Sequence, residues 1–161
     1  MTGKHTVAYL SWSDDLNTGI AVIDGQHRRI VDMINELYAA QHGGARQGVA
    51  VVIEELVDYT SSHFAFEEAM LEEAGYVFTK AHKRVHELFI RRVEDYRVRF
   101  RQGEDVCDEL RSLLGRWLFG HIRNDDQNYV AAVTENLRRL TADKAEDSWL
   151  NRAKRRFFRA A

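Results

Sequence analysis

The chain has 161 residues, a formal net charge of −2, 45 % hydrophobic residues, one cysteine and no proline. That length suits one domain with one core, a single Cys107 excludes any disulfide within the chain, and 30 % charged residues of both signs exclude a disordered chain of extreme net charge. An average chain of this size would carry roughly eight prolines at about 5 % usage; their absence fits long helices, whose interiors a proline breaks.

An N-terminal arm, Met1 to about Ile23, carries the apolar set Trp12, Leu16 and Ile20 and reads as an irregular segment laid against the body. Asp24 is a candidate N-cap for a first helix, on which His27, Ile30, Val31, Ile34, Leu37 and Tyr38 recur at helical spacing until Gly43 and Gly44. The second helix places Val49, Ile53, Leu56, Thr60, His63, Glu67 and Met70 on one stripe and stops at Gly75. A third runs from about Phe78, with His82, His86, Phe89, Val93 and Phe100 in phase, to Gly103. A fourth starts near Asp105, holds Leu110, Leu114, Trp117 and His121, and resumes its stripe at Asp126, Val130, Val133 and Leu137. Four helices joined by short loops predict an all-α fold, an antiparallel up-down-up-down four-helix bundle. Residues 1–142 form this bundle with its arm (1–23), and 143–161 form a tail or short C-terminal helix. From Trp149 the tail holds five basic residues and no acid, which leaves −7 on the remainder of the chain.

Stripes facing a bundle core are apolar, and charged groups are rarely buried unless paired. Each helix here breaks that rule at a similar depth: His27 on the first, His63 and Glu67 one turn apart on the second, His82 and His86 one turn apart on the third, His121 and Asp126 on the fourth. Only His5 and His42 fall elsewhere, in the arm and a loop. A lone core histidine is ordinarily a hydrogen-bonded packing residue. Five inward imidazoles with two inward carboxylates are far harder to satisfy without a cation, and they are natural ligands of divalent metal. They are too many for one tetrahedral zinc and suit two six-coordinate ions. The H-E-x-x-H pattern of zinc proteases and the E-x-x-H pairs of ferritin-like oxidases are absent. Ligand type favours iron without excluding manganese, cobalt or zinc.

On a regular helix, a step of five places Asp126 about 140° from His121. The apolar stripe also slips by one residue between Trp117 and Val130. A local widening of π type is expected there.

The series His27, His63-x-x-x-Glu67, His82-x-x-x-His86 and His121-x-x-x-x-Asp126 resembles the hemerythrin signature in order and spacing. Ile23-Asp24-Gly25-Gln26 before His27, Gly75-Tyr76, Trp117-Leu118 and Tyr129 agree with it. The likeness covers about Trp12 to Leu140, and single-domain bacterial hemerythrins are the most similar type; Val77 stands where the family often has proline. The resemblance implies two iron ions (Fe2+/Fe3+) with an oxo or hydroxo bridge. His82, His86 and His121 would hold one ion, His27 and His63 the other, and Glu67 and Asp126 would bridge them. It further implies reversible dioxygen binding, as peroxide at the five-coordinate iron, for carriage, storage or sensing. Trp117, Leu118 and Ile122 would form the apolar oxygen pocket, with Phe64 and Phe119 as further wall residues. Asp24, Gln26, Glu68 and backbone carbonyls are candidates to orient the ligand imidazoles through their second nitrogens. Gly120, inside a helix beside a ligand, is read either as permitting close packing or as neutral.

No catalytic residue is assigned and no enzyme is expected. The alternatives are a di-iron enzyme handling peroxide or nitric oxide, and oxygen delivery to a membrane oxidase through the basic tail. Residues 149–159 could make a weak contact with a membrane surface or an acidic protein. An acidic body argues against nucleic acid. Met1–Asp15 lacks the apolar stretch of a signal peptide, and the longest apolar run, Val49–Ile53, is far short of the roughly 20 residues that span a bilayer, so a cytoplasmic protein is expected.

Overall fold

Six α-helices carry the chain through the described residues, 8–142 and 149–158, of this computed structural model. They are α1 (Ala21–His42), α2 (Arg46–Glu73), α3 (Thr79–Arg101), α4 (Cys107–His121), α5 (Gln127–Ala142) and α6 (Trp149–Phe157). A π turn over Ile122–Asp126 joins α4 to α5 as one rod, so four rods make the bundle. Connections of a few residues reverse the chain. At the end of α2, Gly75 takes φ +65°, a region open to glycine without strain. Its N–H then donates to Glu72 O (3.1 Å) and that of Tyr76 to Leu71 O (3.0 Å), closing the helix. α1 packs on α2 and α4, while α2 also packs on α3, α5 and α6. No helix among the described residues is long and apolar enough to cross a membrane.

Of the expected arm, residues 1–7 lie outside the described residues and Ala21–Ile23 already belong to α1; residues 8–20 lie against the body. After a 3₁₀ turn at Asp14–Leu16, Leu16 is fully buried and Ile20 nearly so. Asn35 of α1 holds Leu10 by two hydrogen bonds, accepting from its N–H (2.8 Å) and donating to its carbonyl (3.0 Å). Asp24 does not occupy the N-cap, which is Ile20. Its carboxylate reaches back over the first turn, accepting from Thr18 N–H and Oγ1–H (2.8 Å each) and Gly19 N–H (3.1 Å). Negative charge at the positive end of α1 is favourable there. His5 lies outside the described residues.

The core consists of two apolar clusters. One holds Ile30, Ile34, Ile53, Leu56, Phe64, Phe89, Leu110 and Leu118 among others. The second holds Ile23, Phe66, Met70, Leu71, Tyr129 and Val133, with Ala153 of α6. In α1, α2 and the α4–α5 rod the chain passes from one cluster to the other through the polar positions singled out above. The polar groups therefore form a layer walled by hydrocarbon on both sides. Gly120 is not a close-packing position, since a Cβ there would meet nothing within 4 Å; the close approach is at Gly115, where a Cβ would stand 3.2 Å from the Leu10 methyls.

The tail forms α6 from Trp149, and its apolar side is spent on the bundle. Ala153 is buried, and the rings of Trp149, Phe157 and Phe158 lie 5.8–6.3 Å from that of Phe66. Arg152, Lys154, Arg155 and Arg156 stay exposed. Residues 143–148 and 159–161 of the expected tail lie outside the described residues.

Candidate metal centre

All seven side chains singled out as ligands converge, and all are buried: His27, His63, Glu67 and Asp126 completely, His82, His86 and His121 to within 5 %. The i, i+4 pairs on α2 and α3 point the same way because they sit one turn apart. Asp126 joins them through the π turn. Its i→i+5 hydrogen bonding admits one extra residue, which brings position five round over His121. The widening expected from the slipped stripe is thus present.

Each carboxylate spans the cluster. Glu67 Oε1 lies 2.6 Å from His82 Nε2 and 3.2 Å from His86 Nε2. Its Oε2 faces His63 Nε2 (3.4 Å) and His27 Nε2 (3.9 Å). Asp126 repeats the division, with Oδ1 3.1 Å from His121 Nε2 and 3.3 Å from His82 Nε2, and Oδ2 3.2 Å from His27 Nε2. Two donor sets result. Glu67, His82, His86 and His121 each offer an atom within 4.8 Å of the others, and so do His27, His63 and Glu67.

These donors fit a pair of cations better than they fit one another. His27 Nδ1 and Nε2, His63 Nε2 and both oxygens of Asp126 are buried without an aligned hydrogen-bond partner. Leaving such atoms unsatisfied costs about 1–3 kcal/mol each. His86 Nε2 and His121 Nε2, moreover, face each other at 3.0 Å. Nitrogens crowding one another and carboxylate oxygens without aligned donors are what a shared positive ion would resolve.

Without such an ion the cluster polarises itself. Burial pushes His63 down to about 3, against the pull of Glu67. Burial also opposes charge on His82, yet Asp126 and Glu67 outweigh it and raise that imidazole to about 10. Burial presses both carboxyls upward, and Asp126 presses Glu67 further, but the imidazoles facing them, His82 and His86 at Glu67 and His121, His27 and His82 at Asp126, hold both well below the ordinary carboxylate range.

Gln26 Oε1 stands 2.7 Å from His63 Nδ1, Glu68 Oε1 3.4 Å from His86 Nδ1, and Asp125 Oδ2 2.7 Å from His121 Nδ1. Two of the three expected orienting residues are therefore in place. Asp24 is not, because Thr18 and Gly19 occupy its carboxylate. Asp125 takes the third position; its signal was the His-x-x-x-Asp spacing from His121, masked by the adjacent Asp126. Tyr129, fully buried, donates from its hydroxyl to Glu67 Oε2 at 3.1 Å. Burial and the two carboxylates raise that phenol well above its usual range, so it stays a donor.

An aromatic and aliphatic wall covers the three-histidine side. Trp117 stacks on His121 (4.4 Å between centroids, 16°) and on Phe89 (3.7 Å, 13°). Phe64 stacks on His86 (3.8 Å, 6°). Leu118 and Ile122 are buried beside them. Phe119 does not join this wall. It lies under Arg123 in an outer groove with Tyr9 and Leu10, because the helix turns its side chain away.

A helical bundle with a buried layer of five imidazoles and two shared carboxylates defines a class of metal-binding protein. The family model described as "Hemerythrin HHE cation binding domain" matches residues 18–133. Bacteriohemerythrin of Pseudomonas aeruginosa is 63 % identical over 152 residues, covering 94 % of this chain and 99 % of its own. That of Stenotrophomonas maltophilia is 57 % identical over the same coverage, and that of Methylococcus capsulatus 30 % identical over 76 % of this chain and 95 % of its own. The crystal structure of wild-type hemerythrin superposes with a TM-score of 0.75 at 28 % identity, covering 79 % of this chain and 99 % of that one. The chain belongs to the hemerythrin family.

Proposed function

We propose that this protein binds dioxygen reversibly at a non-haem di-iron centre, with His82, His86 and His121 on one ion, His27 and His63 on the other, and Glu67 and Asp126 shared between them. The observation that carries the reading is the division of each carboxylate, one oxygen toward each imidazole group. Bound iron would supply one-electron Fe2+/Fe3+ chemistry at each of two neighbouring positions. The three-to-two split of the imidazoles leaves the His27/His63 side with fewer protein donors, and so with room for a small ligand.

The chain's own residues favour binding over turnover. Five neutral imidazoles against two carboxylates offset little positive charge, which disfavours iron above the ferric state. Trp117, Leu118, Ile122 and Phe64 exclude water and offer no acidic proton. Tyr129 keeps its own proton and directs it at Glu67 Oε2. Carriage, storage or sensing follows from such a site. The tail adds a surface of exposed cations rather than an inserting helix, since its apolar side is used on α2.

The test is to load the protein with iron, reduce it without oxygen, admit oxygen and then purge. Visible absorption bands that appear and vanish over repeated cycles, at two irons per chain, support the proposal. Irreversible bleaching with consumption of peroxide or nitric oxide would replace it with the enzymatic alternative.

A further inference from the structure

We propose that the N-terminal arm clamps the polar layer: Asp15 and Asn17 are positioning residues that tie the π turn to α1 and so fix Asp126 against His27. The proposal rests on the reading of Asp126 as a carboxylate shared by two ions, and it extends that site to the arm. Both positioning residues precede the matched domain, residues 18–133. They belong to or follow the 3₁₀ turn Asp14–Leu16, which lies against the π turn.

The π turn has an inner and an outer side. Ile122 and Asp126 are fully buried, whereas Arg123 and Gln127, the residues that follow each of them, are exposed. The arm grips both outer residues. Asp15 Oδ2 accepts from Arg123 Nε at 2.6 Å, and the Asn17 carbonyl accepts from Gln127 Nε2 at 3.3 Å. Between these grips Leu16 is buried in the same apolar cluster as Ile122. The Ser13 hydroxyl donates to Asp15 Oδ1, the other oxygen of that carboxylate. On its far side the arm is held by α1. Asn17 Oδ1 accepts from Arg28 Nη2 at 3.1 Å, as well as from Trp12 Nε1 at 3.0 Å. The Asp24 carboxylate holds the next two residues, Thr18 and Gly19. Asn17 therefore meets the chain neighbour of His27 with its side chain and the chain neighbour of Asp126 with its carbonyl.

The join held in this way has a competitor. A π turn is an insertion in a regular helix, and the regular ladder would carry Asp126 about 140° round from His121. His27 Nε2 and Asp126 Oδ2 meet at 3.2 Å across two rods, yet neither Asp126 oxygen has an aligned hydrogen-bond donor among the described residues. The arm supplies, from outside the layer, a tie that the layer itself lacks. It acts on the two-imidazole side, where the donor count leaves room for a small ligand. An exposed ion pair adds little to global stability, so the effect belongs to the turn it holds and not to the melt of the whole chain.

Amide hydrogen exchange of the metal-free full-length protein, measured by mass spectrometry, tests the clamp. Asp15→Arg turns attraction to Arg123 into repulsion, and Asn17→Ala releases Arg28 and Trp12. In each, exchange across residues 122–127 should rise about twofold to fivefold while α2 and α3 stay unchanged. Asp15→Glu keeps the charge and should behave as the parent. So should Glu36→Arg, which breaks an exposed pair within α1, Arg29–Glu36 at 2.8 Å. The second readout is iron release from the loaded protein to a chelator. It should quicken by the same factor in Asp15→Arg and Asn17→Ala, with melting temperatures within about 2 °C of the parent. Unchanged exchange at 122–127 in both variants overturns the proposal. So does an equal rise in Asp15→Glu or Glu36→Arg, or faster exchange with unaltered iron release. A parent chain that fails to hold two irons refutes the di-iron reading, and the exchange data still decide whether the arm fixes the π turn.

Discussion

Tyr129→Phe removes a single oxygen atom from the most enclosed part of the polar layer. Tyr129 and Glu67 are both fully buried, and among the described residues the phenol is the one uncharged group that donates to Glu67 Oε2 (3.1 Å). A hydrogen bond to a charged group contributes about 1.5–3 kcal/mol. The remaining neighbours of that oxygen, His63 Nε2 at 3.4 Å and His27 Nε2 at 3.9 Å, are too distant or poorly aligned to replace it. The ring itself is retained, so no cavity larger than one atom opens, and the loss should be about 2 kcal/mol. For a chain of this length that corresponds to a fall in melting temperature of about 4–8 °C. Thermal unfolding of the metal-free protein, followed by far-ultraviolet circular dichroism, reads it directly. A variant melting within about 1 °C of the parent would show that Glu67 does not depend on this donor, and would refute the reasoning.

Asp125→Ala should lower iron affinity by about 10–100-fold, because His121 Nδ1 loses the acceptor that fixes its ring; competition with a chelator measures it, and an unchanged affinity removes Asp125 from the site. Gly120→Ala should stabilise the protein by up to about 1 kcal/mol, since the new methyl meets nothing within 4 Å; a lower midpoint in urea would contradict that. The metal-free protein should be most stable near pH 6.5. Below that value an unfolded chain protonates His63 while the folded one, at about 3, does not, so stability falls with falling pH. Above it the folded chain keeps the proton on His82, raised to about 10, which the unfolded chain has released, so stability falls as pH rises toward 10. The depressed Glu67 and Asp126 add to the acid side, where their contribution is lost as pH drops below the unfolded carboxylate range. Urea midpoints across pH 4–10 check the shape, and iron loading should remove the alkaline slope, because ligation requires neutral His82.

Much of the centre was legible in the chain because the signal is a violation of a strong rule. His27, His63, Glu67, His82 and His86 sit in phase with apolar stripes, and helical periodicity alone turns them inward. Even the π turn could be read, from a step of five between His121 and Asp126 that a regular helix cannot bring onto one face. The contacts of Asp24, Asp125 and Tyr129 were less accessible. Asp24 has the right residue type for an N-cap, but its reach to Thr18 and Gly19 depends on how the arm folds back. Tyr129 is in phase with the core in any case, so its sequence position says nothing about Glu67. Gly115 and Gly120 look alike in the chain, and only the path of Leu10 makes one a close approach and the other open space.

The order of polar and apolar residues was enough to determine four rods, their inward faces and the seven donors, because burial along a helix is governed by a fixed period. Tertiary structure decided which oxygen of each carboxylate meets which imidazole, which acceptors lock the rings, and that α6 closes a cleft against α1 and α2. Those outcomes depend on distances between rods whose residues are far apart in the chain, and no local period encodes them.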